Sequence, residues 1–127
     1  MNYLIIALGG GIGSALRYAV SKFVQDNMSG AFPYHTFAVN IVGCLLIGLF
    51  YGLAARGHLG NNTTTLLLTT GLCGGFTTFS TFCNENIALL RGDNALTALV
   101  YVASSMFCGL FAVALGYLII DIIASGR

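Results

Sequence analysis

Apolar residues fill four long blocks of the chain, separated by short polar clusters. The first block runs from about Tyr3 to Phe23 and ends at Gln25-Asp26-Asn27, with Ser29-Gly30 following as turn residues. Pro33 opens the second, which continues to about Ala55; proline suits a first helical turn because its missing N–H would have no partner there. Arg56-Gly57-His58 and Gly60-Asn61-Asn62 close that block. The third covers about Thr63 to Leu90, and Arg91-Gly92-Asp93-Asn94 leads tightly into the fourth, from about Ala95 to Ile120. Strand-like alternation is absent, which favours helices over a barrel, and each block meets the roughly 20 apolar residues that a bilayer-spanning helix needs. The predicted fold class is an all-α membrane protein, a single four-helix transmembrane domain over residues 1–127 with spans at about 3–23, 33–55, 63–90 and 95–120. Short connections make consecutive helices antiparallel neighbours.

Composition narrows the possibilities. Of 127 residues only five are Lys or Arg and four Asp or Glu, and 57% are hydrophobic, against about 45–50% in ordinary soluble domains. So few charges cannot cover a water-soluble surface, and the same figures exclude disorder. A net charge of +1 leaves no clustered basic face, so nucleic acid is not an expected partner. No basic residue precedes the first apolar run, which is also too long for a signal segment, so it is expected to be retained as a span. Cys44, Cys73, Cys83 and Cys108 all fall in apolar stretches without CxxC spacing and read as small packing residues.

The third block departs from a plain span. Its 28 residues exceed the need, and at its middle Gly74-Gly75 is followed by four hydroxyl residues in five positions, Thr77, Thr78, Ser80 and Thr81. Such a stretch weakens a helix and predicts a break between two half-helices. In lipid a break must be buried in protein or line a cavity, and discontinuous helices often build ion sites. The alternative is a tight helix crossing that uses glycine for close approach. Gly9 and Gly13, and Gly48 and Gly52, stand at small-xxx-small spacing and predict close packing elsewhere.

Charge gives no clear orientation. Arg56 and Arg127 fall on the side of the termini, Lys22 and Arg91 on the other, with Arg17 inside the first span and able to snorkel toward Lys22. This near-balance under the positive-inside rule permits insertion both ways and pairing of two opposite copies about a two-fold axis; a fixed orientation set by a partner is the alternative.

Polar residues inside the spans carry the candidate chemistry. Asn40 lies about eight residues into the second span, where its amide needs partners. Thr36 is one turn before it. Tyr101, Ser105 and Gly109 share a face of the fourth span, and Phe76, Phe79 and Phe82 repeat at i+3 on the third, beside Thr81 and Glu85. Singly, such residues often only glue helices. Three polar stripes beside a broken helix point instead to a permeation path. Its donors are hydroxyls, amides and aromatic ring edges, a lining that favours a small anion over a cation and is too sparse for a large substrate.

With GGGIGSALRY at 9–18, TFAVNIVG at 36–43 and GGFTTFSTF at 74–82, the chain resembles the small bacterial fluoride channels (Fluc, or CrcB, family) across all four spans. The resemblance implies a multi-pass protein of the bacterial inner membrane, an antiparallel dual-topology homodimer with two pores that passively export cytoplasmic fluoride. It also implies a structural sodium ion at the dimer interface. Phe79 and Phe82 match the family's pore phenylalanines, Asn40 the pore asparagine and Ser105 a pore serine. Tyr101, Thr36, Thr81 and Glu85 match the polar track beside them. The backbone carbonyls of Gly74 and Thr77 match those that hold sodium, two from each chain, and Arg17 matches the arginine of the first span. Two positions depart: His35 stands where glycine is common, and Gly109 where the track often continues with serine.

Other classes are weighed against this one. A small multidrug exporter, proton-coupled and also four-spanned, uses a carboxylate within its first span, and residues 3–23 contain none. A membrane assembly subunit would explain the glycines but not Asn40 and the phenylalanine pair. No step of the reading breaks a chemical bond, so no enzyme is predicted.

Overall fold

The computed structural model describes residues 1–57 and 62–125; His58, Gly60, Asn61 and Arg127, which entered the loop and charge readings, lie outside the described residues. The chain forms α1 (Asn2–Asn27), α2 (Tyr34–Ala55), a composite third span, and α6 (Ala95–Ser125). The third span runs through α3 (Asn62–Leu66), a π-helical stretch (Leu67–Cys73), α4 (Gly74–Phe76) and α5 (Phe79–Arg91). All four spans are long and apolar enough to cross a membrane.

The two outer helices overrun the predicted boundaries, each for a local reason. Helix α1 continues through Gln25-Asp26-Asn27 because its last turn is braced from within: Asn27 Nδ2 donates to Phe23 O at 2.8 Å, and Lys22 and Asp26 face each other at 4.0 Å. Helix α6 passes Asp121 to Ser125 because that carboxylate is held by Arg56 Nη2 at 2.7 Å, tying the end of α2 to the end of α6. Pro33 sits just ahead of α2, as its N-cap, rather than inside its first turn.

Glycine sets the helix spacing, as the small-xxx-small pattern predicts. A Cβ on Gly9 would lie 2.7 Å from Leu67 O, and one on Gly13 would collide with Leu72 O, so α1 runs against the backbone of the π-helical stretch. On the other side α2 packs along α6, where Cβ atoms on Gly48 and Gly116 would strike the facing main chain. Gly75 makes the same kind of approach: its Cβ would come 2.8 Å from Gly10 Cα.

The third span leaves helical geometry after Phe76. Thr77 (φ −82°, ψ 160°) and Thr78 (φ −148°, ψ 119°) are extended, and α5 restarts at Phe79. Both readings of the GGFTTFSTF segment therefore apply, at different residues: glycine serves close packing at Gly75, and the helix is interrupted at the two threonines that follow. Phe76 is buried as a packing residue.

Candidate functional site

An interrupted helix leaves backbone groups that need partners, and neighbouring helices supply them here. Asn40 of α2 faces Thr78 with both ends of its amide: Nδ2 donates to Thr78 O at 3.1 Å and Oδ1 accepts from Thr78 N–H at 2.9 Å. The amide thus stands in for a neighbouring peptide, and one Nδ2–H remains available. On the other flank Arg17 Nε donates to Gly75 O at 3.1 Å, with Ser14 Oγ donating to the same oxygen at 3.5 Å. Arg17 therefore does not snorkel toward Lys22; it satisfies a carbonyl at the end of α4, where a cation also suits the helix dipole. Thr78 caps α5, its Oγ1 accepting from Thr81 N–H at 3.4 Å and donating to Thr81 Oγ1 at 3.1 Å.

Beside this junction lies a cavity of about 290 Å³, lined by Asn40, Thr77, Thr78, Phe79, Phe82 and Ser105 together with Cys44, Ile47 and Met106. None of these lining residues is ionisable to a carboxylate or a cation. The Phe79 and Phe82 ring centroids are 5.9 Å apart and tilted by 32°. Phe79 is 76% exposed in the single chain. Ser104, next to Ser105, is turned away and bonds back to Val100 O. Gly109 packs near Cys44, with a Cβ there at 3.5 Å from Cys44 Sγ, so that position serves the α2–α6 contact.

A second polar cluster adjoins the first through the rings. Phe82 and Tyr101 have centroids 4.8 Å apart. Tyr101 is fully buried, and its hydroxyl donates to Glu85 Oε1 at 2.8 Å. Thr36 Oγ1 donates to Glu85 Oε2, also at 2.8 Å, and His35 Nε2 lies 2.9 Å from that same oxygen. Glu85 and His35 in turn border a cavity of about 410 Å³ beside the α1–α2 connection and Asn94.

The residues singled out in the sequence thus fall into three groups. Asn40, Phe79, Phe82 and Ser105 share the inner cavity; Thr36, Tyr101 and Glu85 form one hydrogen-bonded cluster next to it. Thr81, Gly74, Thr77 and Arg17 belong to the interruption itself. Sequence reasoning missed the bond partners: Thr78 as the residue Asn40 holds, Gly75 O as the group Arg17 holds, and His35 as a partner of Glu85. The only signal for His35 was its departure from the family pattern.

Comparison with known proteins places the whole chain rather than its site. Residues 4–117 match the family model described as CrcB-like protein, Camphor Resistance (CrcB). A fluoride-specific ion channel FluC of Phocaeicola vulgatus is 50% identical over 115 residues, covering 91% of this chain and 94% of that protein. The protein of the same name from Flavobacterium psychrophilum is 48% identical over 114 residues (90% and 92%). That of Thermus thermophilus is 45% identical over 116 (91% and 92%).

Proposed function

The chain belongs to the CrcB-like family, and from that premise we propose that it is a passive, fluoride-selective channel of the bacterial inner membrane, and not an enzyme. The observation that carries the proposal is the inner cavity, which offers amide, hydroxyl and ring-edge donors but no full charge, at the interruption of a membrane-spanning helix. Within the stretch Asn62–Arg91, 15 residues precede Thr77 and 13 follow Thr78. That position supports a break near the middle of the bilayer.

Fluoride is small and strongly hydrated, so a pore must replace its water with donors. Asn40 is held by Thr78 and retains one N–H, Ser105 supplies a hydroxyl, and the edges of Phe79 and Phe82 carry partial positive charge. A fixed cation in the cavity would hold an anion too tightly; conduction needs modest, successive sites. The line from Phe82 through Tyr101 to Glu85 gives the route a polar continuation toward the outer cavity. The membrane potential, negative inside, then drives fluoride outward without coupling.

The same reading takes the active form to be an antiparallel, dual-topology homodimer with two pores. The exposure of Phe79, a pore ring in this reading, fits a surface that a second copy covers. It also includes a structural sodium ion at the dimer interface. The residues present fit such an ion. Thr78 N–H is taken by Asn40, so Gly74 O lacks the helical donor four residues on, and Thr77, being extended, directs its carbonyl outside the helix. Carbonyl oxygens are hard ligands suited to sodium. One chain offers two of them, so the site is complete only with a second copy. The ion's part is to neutralise carbonyls that lipid leaves without partners.

The test is anion efflux from liposomes carrying the purified protein. Fluoride should leave down its gradient while chloride stays behind. Equal efflux of both anions, or strict coupling to protons, overturns the proposal.

A further inference from the structure

We infer that His35 is a positioning residue for the anion path, one that sets the net charge of the Glu85 mouth and makes fluoride flux depend on pH. The inference rests on the fluoride-channel reading above. Its basis is an imidazole 2.9 Å from a carboxylate, at the boundary between the outer cavity and the polar track.

An anion entering from the outer cavity must pass Glu85. Thr36 and Tyr101 each donate to one of its oxygens, and His35 Nε2 stands 2.9 Å from Oε2. In its ionised form this carboxylate only accepts and carries a full negative charge. Left alone, it would repel fluoride at the place where the ion gives up its water. Thr36 and Tyr101 are neutral donors and orient the carboxylate without cancelling its charge. His35 can do both. Its Nε2 stands 2.9 Å from Oε2, so a proton gained by the ring changes the charge of the pair while the two groups stay in contact. The two side chains are 23% and 17% exposed, so protons reach them from the cavity.

Among the described residues that line the outer cavity, no other carries a full charge. On the walls of the outer cavity the titratable groups are His35, Glu85 and the phenol of Tyr34. Helix α1 contributes Val24, Gln25 and Met28, and the start of α6 is preceded there by Asn94, none of them titratable. Tyr101 meets Glu85 from α6. The charged residues of the adjoining elements, Lys22, Asp26, Arg91 and Asp93, do not line the cavity. Protonated His35 therefore leaves a neutral pair at the mouth, and neutral His35 leaves an uncompensated carboxylate.

Fluoride efflux from proteoliposomes, set to equal pH on both faces and corrected with protein-free vesicles at each pH, tests the inference. The native protein should lose flux about three- to tenfold as the buffer is taken from about pH 5 to about pH 8, as expected for one charge acting across a partly solvated mouth. His35→Gln keeps a donor and lacks the titration; its flux should be flat with pH, near the native alkaline level. His35→Lys keeps the cation throughout and should be flat at the native acid level. A flat native profile with robust flux overturns the role of His35 and leaves the channel reading standing, as does a His35→Gln protein that keeps the native slope. Absence of fluoride flux at every pH, from protein that elutes normally on a sizing column, overturns both.

Discussion

Asn40 has two roles that separate tests can tell apart. Its amide bonds both polar groups of Thr78 and still has an N–H for the cavity. Asn40→Asp keeps the shape, but a carboxylate can only accept. It sets an oxygen against Thr78 O and adds negative charge beside the anion route. Fluoride efflux should fall to background, and thermal stability should fall as well, by about 1–3 kcal/mol, the range for an unpaired buried partner. Lost stability with normal flux would reduce Asn40 to helix glue. Phe82 poses the opposite case, because its contacts with Phe79 and Tyr101 are ring packing. Phe82→Ile retains bulk and removes the quadrupole, so flux should drop sharply while the protein elutes unchanged from a sizing column. Unchanged flux in both Phe82→Ile and Phe79→Ile proteins returns these rings to packing alone.

Between elements, the close crossings of α1 with the third span make a sharp prediction. A methyl on Gly13 meets the Leu72 carbonyl and comes 2.8 Å from Phe76 N, both main-chain atoms that no rotamer change can move, whereas one on Gly11 meets nothing within 4 Å. Gly13→Ala should therefore destabilise the protein by about 1–3 kcal/mol, the cost of overpacking. Gly11→Ala should leave the melting temperature in detergent nearly unchanged. This difference also marks what the sequence discloses. The four spans were legible because lipid demands long apolar runs, and the Gly9/Gly13 and Gly48/Gly52 pairs were legible because helical spacing puts each pair on one face. The irregularity in the third span was legible from Gly74-Gly75 and the hydroxyl cluster, but the parts played by glycine and threonine were not. Gly75 depends on where Gly10 lies, and the turn at Thr77–Thr78 depends on Asn40, 38 residues away. The π-helical stretch Leu67–Cys73 carries no residue signature at all. The polar stripes were visible as a set, yet Glu85 lies 50 positions from His35, and no periodicity connects them.

At the scale of the whole molecule, a single chain leaves the proposed assembly half built. Phe79 is largely exposed, and the carbonyls of Gly74 and Thr77 provide two ligands where a sodium ion needs more. Pairing with an inverted copy would bring a second set across a two-fold axis and put four negative dipoles at one point, where a cation is needed. Arg17 does not meet that need, since it is engaged on Gly75 O. The hydration shell of sodium is far easier to strip than that of Mg²⁺, which dehydrates reluctantly. An ion that binds the dimer and not the separated chains stabilises the dimer by mass action, so the effect scales with the logarithm of its concentration. Sodium should accordingly raise the melting temperature of the purified dimer step by step as it is titrated into protein prepared in a large organic cation. At about 100 times its dissociation constant the gain is about 2.7 kcal/mol. Fluoride flux should return over the same concentrations. Replacing Thr77 by serine, which keeps the carbonyl and the hydroxyl, should preserve that response. A melting temperature and a flux that are both indifferent to sodium, from a protein that still runs as a dimer, would show that the interface closes on these carbonyls without a cation.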